Sequence, residues 1–342
     1  MFPPQDTRKL KSSATLVNAK IEITYVIEKG CELIVAIKNE CFLVARQVAA
    51  PFMAAALSIN GDILMLSEAL NQGRCFSLPG VFDPFSARIA AHYVKGPLYM
   101  TGYGVSATLL GKPDAGLVSY SQMVERISMI TGTIDVPLVA DGDTGFGGLA
   151  NVAQTVAGYE RAGASAIQIE DQEFPKRCGH TRDRRVVDAA DMQKKIKVAV
   201  STRDRSDFMI IARTDARTQL GLDEALRRAE AYAQSGADAL FVESPESPEE
   251  LRKISEALHG MPLVANMVAG GRTPLLSDNE LFDMGFQLVI HPTYLLGAMT
   301  KGLESSLQYL SQEGCQTSEV AQFDVLNDWL DFESVWALDE EG

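Results

Sequence analysis

The chain has 342 residues, 46% hydrophobic and 22% charged, with a formal net charge of −14. That length supports one large domain or two modest ones around a sizeable core, and the acidity excludes a polyanion such as nucleic acid as partner. No apolar run is long enough to span a bilayer, and the five cysteines (Cys31, Cys41, Cys75, Cys178 and Cys315) contain no C-x-x-C pair, so neither a disulfide framework nor a structural zinc is expected.

The chain opens with Arg8, Lys9, Lys11 and Lys20 against only Asp6 ahead of Glu22. A reducing, cytoplasmic setting fits the thiols, and this weak basic leader makes mitochondrial delivery the alternative. Residues 1–64 read as an extension of unassigned role, with β-rich runs at 21–27 and 32–37 flanking Glu-Lys-Gly-Cys as a hairpin. The apolar stretch 49–59 is short and reads as a buried helix.

From residue 76 a unit repeats: a short apolar run, a polar or acidic tail, then a helix-length amphipathic segment. The runs fall at 76–78, 98–101, 137–140, 166–169, 209–212, 239–242, 263–265 and 287–290. In 222–234, Leu222, Ala225, Leu226, Ala229 and Tyr232 share one helical side. Gly163, Gly236 and Gly285 stand where a left-handed helix stop is expected. Parallel strands need crossover helices, and continuously apolar strands are covered on both faces. Eight such units predict an α/β fold closed as a (β/α)8 TIM-type barrel over 65–315. An open doubly wound sheet is the competitor, and the lack of G-x-G-x-x-G after the first strand counts against it. Beyond the eighth unit, a long amphipathic helix at 295–313 and an acidic helical tail over 316–342 are extra.

In such barrels function collects at the C-terminal ends of the strands. Those ends carry Asp114, Asp141, Asp143, Glu170, Asp171, Arg213, Asp215, Glu243 and Asn266. Adjacent acids repel unless a counter-ion is present, and oxygen-only donors suit a hard cation, Mg²⁺ with Mn²⁺ as the alternative. Asp141 and Asp143, two apart on one strand end, can address one ion. The competing reading makes these acids helix caps and solvated loop residues. The stretch 170–180 ends in Lys176-Arg-Cys-Gly-His180. Positive neighbours lower a thiol pKa and ready Cys178 for proton transfer. Gly179 permits an unusual turn, and Lys176, Arg177 and His180 are candidates for holding substrate carboxylates.

KRCGH at 176–180 resembles the cysteine loop of the carbon–carbon lyases in the isocitrate lyase/phosphoenolpyruvate mutase superfamily. LPGVFDPFSAR, TGYGVSATLLGKPDAG, DGDTGFG, IEDQEFPKRCGH, IIARTDAR, FVES and NMVAGGRTP extend the resemblance over about 65–315. It implies Asp143 as direct Mg²⁺ ligand, with Asp141, Asp114 and Glu170 holding the ion through water. Thr101 and Gly102 would donate to the carboxylate of a 2-oxo acid beside Tyr99, and Arg213 would bind that acid's oxygens. Cys178, on a mobile loop, would protonate the departing carbanion, with His180 beside it. Glu243 and Asn266 would contact the rest of the substrate or support Arg213. The resemblance also implies a homotetramer with swapped C-terminal helices.

The implied reaction cleaves a 2-hydroxy di- or tricarboxylic acid, of 2-methylisocitrate or alkylmalate type, to a 2-oxo acid and a carboxylic acid. Ala269 stands where the family often has Glu, and Tyr103 where methylisocitrate lyases tend to have Gly. A bulky Tyr103 reshapes the pocket and favours a smaller alkylmalate-like diacid. Oxaloacetate hydrolysis or decarboxylation and phosphonate-type mutase chemistry remain as alternatives within the superfamily. A catalytically impaired barrel acting as a binding protein is the alternative outside enzyme chemistry.

Overall fold

The computed structural model describes residues 65–179, 184–315 and 319–340, together with the backbone of four strands nearer the N-terminus. The chain divides into two units, Met1–Ile63 and Leu64–Gly342. In the first, β1 (Arg8–Leu16), β2 (Ala19–Glu28), β3 (Glu32–Ile37) and β4 (Glu40–Val44) form an antiparallel sheet in chain order. The hairpin expected at 21–27 and 32–37 is the β2–β3 pair, with Ile23 opposite Ile37. The helix expected at 49–59 lies outside the described residues.

The second unit is a closed barrel of eight parallel strands. They are β5 (Phe76–Val81), β6 (Leu98–Met100), β7 (Leu138–Asp141), β8 (Ala166–Glu170), β9 (Met209–Thr214), β10 (Ala239–Val242), β11 (Leu263–Asn266) and β12 (Leu288–His291). β12 pairs with β5 to close the ring. Before it lies α1 (Leu66–Asn71), and around it lie α2 (Pro84–Val94), α3 (Gly102–Val105), α4 (Tyr120–Thr131), α5 (Leu149–Arg161), α6 (Ala189–Thr202), α7 (Arg217–Leu220), α8 (Leu222–Gln234), α9 (Pro248–Ala257) and α10 (Asp278–Met284). The helices α11 (Tyr294–Glu313), α12 (Phe323–Leu330) and α13 (Phe332–Glu340) follow.

Several helices start where the local chemistry dictates. Asp83 with Ser86, Ser119 with Gln122 and Ser277 with Glu280 form reciprocal capping boxes, and Pro84 and Pro248 occupy first-turn positions whose missing N–H costs nothing. Gly163, Gly236 and Gly285 take φ of +95°, +100° and +104°, so the sequence reading of these helix stops holds.

Period-two alternation builds two cores. Leu98, Met100, Leu138, Ala140, Ile167, Ile210, Leu240 and Val242 face the helices. Leu78, Tyr99, Val139, Ala166, Ile211, Phe241, Val264 and Leu288 fill the barrel interior. Leu66 and Leu70 of α1 join that interior, and Gln287 Nε2 donates to Leu70 O at 2.9 Å. α1 therefore closes the N-terminal end. The same alternation, continued one step past the inward apolar residues, delivers Asp141 after Val139 and Arg213 after Ile211. It also delivers Glu243 after Phe241 and Asn266 after Val264.

Candidate active site

These strand ends open into a cavity of about 760 Å³. Its wall includes Tyr99, Thr101, Tyr103, Asp114, Asp141, Cys178, Gly179, Arg213, Glu243 and Asn266. These ten residues, all singled out in the sequence, thus meet around one space. Asp143, Glu170 and Lys176 are buried in contact with them, and Gly102 borders Asp141. The Arg177 side chain is exposed and outside the wall, while its backbone is held by Gln172. His180 lies outside the described residues.

Arg213 is the most heavily constrained cation. Its Nε and Nη2 donate to the two oxygens of Asp215 at 2.8 and 3.0 Å. Glu243 Oε2 lies 3.2 Å from Nη2 and Glu170 Oε2 3.4 Å from Nε, and the guanidinium sits 5.0 Å over the Phe241 ring. Burial opposes its charge, but Asp215, Glu170 and Glu243 outweigh it and hold the guanidinium firmly protonated. Glu243 is fixed in turn by Asn266 Nδ2 at 3.0 Å and by the N–H of Ser244 at 2.7 Å.

On the other side, Asp141 accepts from Gly102 N at 3.3 Å and from Asp143 N at 3.1 Å. A Cβ at position 102 would meet Asp141 Oδ2 at 2.5 Å, so glycine is required for this close approach. The Gly102 N–H thus addresses Asp141 here rather than a free anion position. Thr101 Oγ1 accepts from Gly104 N at 3.3 Å as the cap of α3. Asp143 holds φ of +48° and Ser244 +59°, the left-handed region that non-glycine residues enter at a cost and that clusters at working sites.

Lys176 departs from the role read in the sequence. Its ammonium is buried, 2.6 Å from Asp114 Oδ1 and 2.6 Å from Asp143 Oδ1, so it answers the acids of the site and not a substrate carboxylate. Burial works against its charge, but Asp143, Asp114 and Asp141 outweigh it and keep it protonated. Burial pushes Asp143 up to about 7 against the pull of Lys176, with Asp141 and Asp114 adding to the rise. Burial likewise lifts Glu170 well above the ordinary carboxylate range against the pull of Arg213. Gly179 also differs from its reading. It has no positive φ, and its value is space: a Cβ there would run into Arg213 Nη2 and come within 2.9 Å of Glu243 Oε2.

Asp171 and Asp215 lie behind the wall. Asp171 accepts from Thr214 Oγ1 at 2.8 Å, Asp215 N at 2.9 Å, Arg228 Nη1 at 3.1 Å and Tyr232 OH at 2.7 Å, between the barrel and α8. Sequence reasoning missed Gln168, Gln172, Arg184 and Ser244, all buried among these groups. Gln168 has a signal, an amide facing inward on β8 two residues before Glu170. Arg184 has none, because its partners come from two other segments, 215–218 and Ser244.

The donor set suits a hard divalent cation. Asp114, Asp141, Asp143, Glu170, Asp215 and Glu243 outnumber Lys176, Arg184 and Arg213, and Glu170 Oε1 is buried without a hydrogen bond. Among the described residues no three His, Cys, Asp or Glu side chains converge on one point.

A family model described as phosphoenolpyruvate phosphomutase matches residues 66–310. The chain is 48% identical over 238 residues to 2,3-dimethylmalate lyase of Eubacterium barkeri, covering 70% of this chain and 82% of that one. It is 39% identical over 253 residues to 2-methylisocitrate lyase of Aeropyrum pernix, covering 74% and 81%. A solved oxaloacetate acetylhydrolase in complex with 3,3-difluorooxalacetate superposes with a TM-score of 0.77 at 34% identity, covering 81% and 95%. The closed barrel, the site at its C-terminal mouth and these likenesses agree: the chain belongs to the phosphoenolpyruvate mutase/isocitrate lyase superfamily, as a carbon–carbon lyase.

Proposed function

We propose that this lyase cleaves a 2-hydroxy diacid of the alkylmalate type, or 2-methylisocitrate, into a 2-oxo acid and a carboxylic acid. The observation that carries the reading is that Cys178 faces the same cavity as Arg213, Asp141 and Asp114. A cation, a carboxylate cluster and a thiol around one cavity provide anion binding, charge stabilisation and a proton source.

Arg213 binds the carboxylate and 2-oxygen of the substrate, with its orientation locked by Asp215 and Glu243. Asn266 and Glu243 border the part of the substrate that leaves. A carboxylate of the cavity wall (Asp114 or Asp141), directly or through water, takes the hydroxyl proton. The O–H electron pair forms the C=O of the 2-oxo acid, the adjacent C–C bond breaks, and its electron pair passes to a carbanion stabilised by its own carboxylate. Cys178 delivers the proton that quenches it. Asp143 would hold Mg²⁺ directly, with Asp141, Asp114 and Glu170 around it, and the ion would supply charge stabilisation to the developing oxo acid. Tyr103 and Ala269 line the cavity and tune which alkyl group fits. We further propose a homotetramer with exchanged C-terminal helices, since α11 buries no residue in the protomer and leaves Leu303 and Leu307 54% and 60% exposed.

The test is turnover of 2-methylisocitrate, 2,3-dimethylmalate and oxaloacetate with and without Mg²⁺, reading oxo acids, oxalate and acetate. Oxo-acid release from a malate derivative supports the lyase reading, whereas acetate and oxalate from oxaloacetate would favour the hydrolase seen in the solved relative. No metal-dependent turnover of any would sink both. Light scattering in solution tests the tetramer, and a monomer would overturn it.

A further inference from the structure

Cys178 is held in the chain by its two neighbours, and each neighbour is pinned by a buried side chain from a different strand end. Gln172, just past β8, brackets the Arg177 peptide. Its Oε1 accepts from Arg177 N at 3.0 Å, and its Nε2 donates to Arg177 O at 2.8 Å. Ser244, just past β10, donates its hydroxyl to Gly179 O at 3.0 Å. Gln172 and Ser244 are 2% and 0% exposed.

The two pins are tied together. Gln172 Nε2 lies 3.3 Å from Asp215 Oδ1, and Arg184 Nη1 donates to the same oxygen. Arg184 Nη2 lies 3.4 Å from Ser244 Oγ. Asp215 carries the connection to Arg213 through its paired bonds at 2.8 and 3.0 Å.

We propose that Gln172 and Ser244 are positioning residues, a two-point latch that sets the Cys178 backbone against the cavity and couples its placement, through Asp215, to Arg213. Neither side chain lines the cavity, so both act through the residues they hold. The physical drive is satisfaction of buried polar groups. The Gln172 amide loses two of its partners when the Arg177 peptide departs, and a buried amide left unpaired is costly. The latch therefore favours the seated position of the 176–179 segment. Arg213, the substrate-binding cation, and Gln172, the loop clamp, share one carboxylate. An anion drawing on Arg213 and the seating of the loop are linked through that shared group.

This inference rests on Cys178 as the proton donor, and its test separates the two. The Arg177 carbonyl held by Gln172 is the one trypsin attacks when it cuts between Arg177 and Cys178. In the full-length protein, Gln172→Met keeps the volume and removes the bonds, and Ser244→Ala removes the hydroxyl. The expected result is cleavage at Arg177 faster by about tenfold or more in Gln172→Met and several-fold in Ser244→Ala. The double variant should not reach the product of the two, because both act on one network. Cleavage after exposed Lys253 on α9 reports global loosening and should not change. With a substrate that turns over, kcat should drop more than tenfold, and Mg²⁺-dependent oxalate affinity should fall by a smaller factor through the shared Asp215. Cleavage at Arg177 within twofold of wild type in variants that melt normally would overturn the latch. If the wild-type protein turns over none of the acids, the lyase reading fails while the cleavage rates still decide the latch.

Discussion

The ammonium of Lys176 stands 2.6 Å from Asp143 Oδ1, on the carboxylate proposed as the direct Mg²⁺ ligand. Loop lysine and metal therefore draw on one group. Removing the lysine leaves Asp114, Asp141 and Asp143 with less counter-charge, so two effects of opposite sign are expected from Lys176→Met. Mg²⁺ should bind about tenfold more tightly by calorimetric titration, since a competing cation is gone. In EDTA the variant should melt below wild type, because breaking a buried ion pair leaves uncompensated charge costing about 3–5 kcal/mol. Weaker Mg²⁺ binding in the variant would show that Lys176 supports the ion instead of competing with it.

Asp143 also makes the site pH-dependent. Its pKa, raised to about 7, means the protonated form is favoured in the fold. The stabilisation this gives is complete below the ordinary carboxylate value and is lost as pH rises through about 7. Without metal, Tm should therefore fall from about pH 4 to about pH 7 and level off above that. Metal binding must displace that proton, so the apparent Mg²⁺ Kd should rise toward tenfold per pH unit below about 7 and flatten above about 8. Calorimetry in buffers of different ionisation enthalpy should detect proton release near the lower pH. A Mg²⁺ affinity independent of pH across this range would exclude a protonated Asp143.

Gly179 brings the cysteine loop against Arg213, and the space is only large enough for hydrogen. Gly179→Ala should push the segment or the guanidinium aside, both of which are held on their other faces. A displacement of about 1 Å at a reacting group can cost about 10² in rate. We expect kcat to fall by about that factor with Tm nearly unchanged. A melting loss without a rate loss would place the role of Gly179 in stability.

The barrel and the floor of the site were legible because both follow from strand periodicity. Eight apolar runs gave eight strands, and stepping by two past Val139, Ile211, Phe241 and Val264 reaches Asp141, Arg213, Glu243 and Asn266. The acid cluster was legible as a set for the same reason. Lys176 was not, since its partners depend on how the loop after β8 folds back over the barrel, which local pattern does not encode. Gln172, Ser244 and Arg184 were hidden similarly: each is an ordinary polar residue until the loop returns to meet it. Asp171 was misleading, because an acid adjacent to Glu170 in sequence faces the opposite side of the strand wall.

Cys178→Ser tests the chemistry most directly. Serine keeps the shape of the loop but is a far weaker proton donor than a thiol. Cleavage should drop by about 10³ or more, while Mg²⁺-dependent oxalate binding, read by thermal shift, stays within about threefold. Such a pattern marks an interaction used in the transition state and not in ground-state binding. Full activity in the variant would remove Cys178 from proton transfer.

Asp171 offers the converse case, an acid whose work is structural. It is fully buried, meets Arg228 and Tyr232 of α8, Thr214 and the Asp215 backbone, and does not line the cavity. Burial raises its pKa, with Asp215 adding to the rise and its hydrogen bonds opposing it. Asp171→Ala leaves the Tyr232 hydroxyl, the Thr214 hydroxyl and the Asp215 N–H without their acceptor, while Arg228 keeps Glu224 at 2.8 Å, so urea unfolding should show a loss of about 2–3 kcal/mol. Asp171→Asn keeps the shape and one acceptor oxygen and should lose less. At a temperature where the variants remain folded, Mg²⁺-dependent oxalate affinity should stay near wild type, because the acids and Arg213 are held by their own contacts. A small stability change with a large fall in oxalate affinity would instead make Asp171 part of the binding site through Asp215.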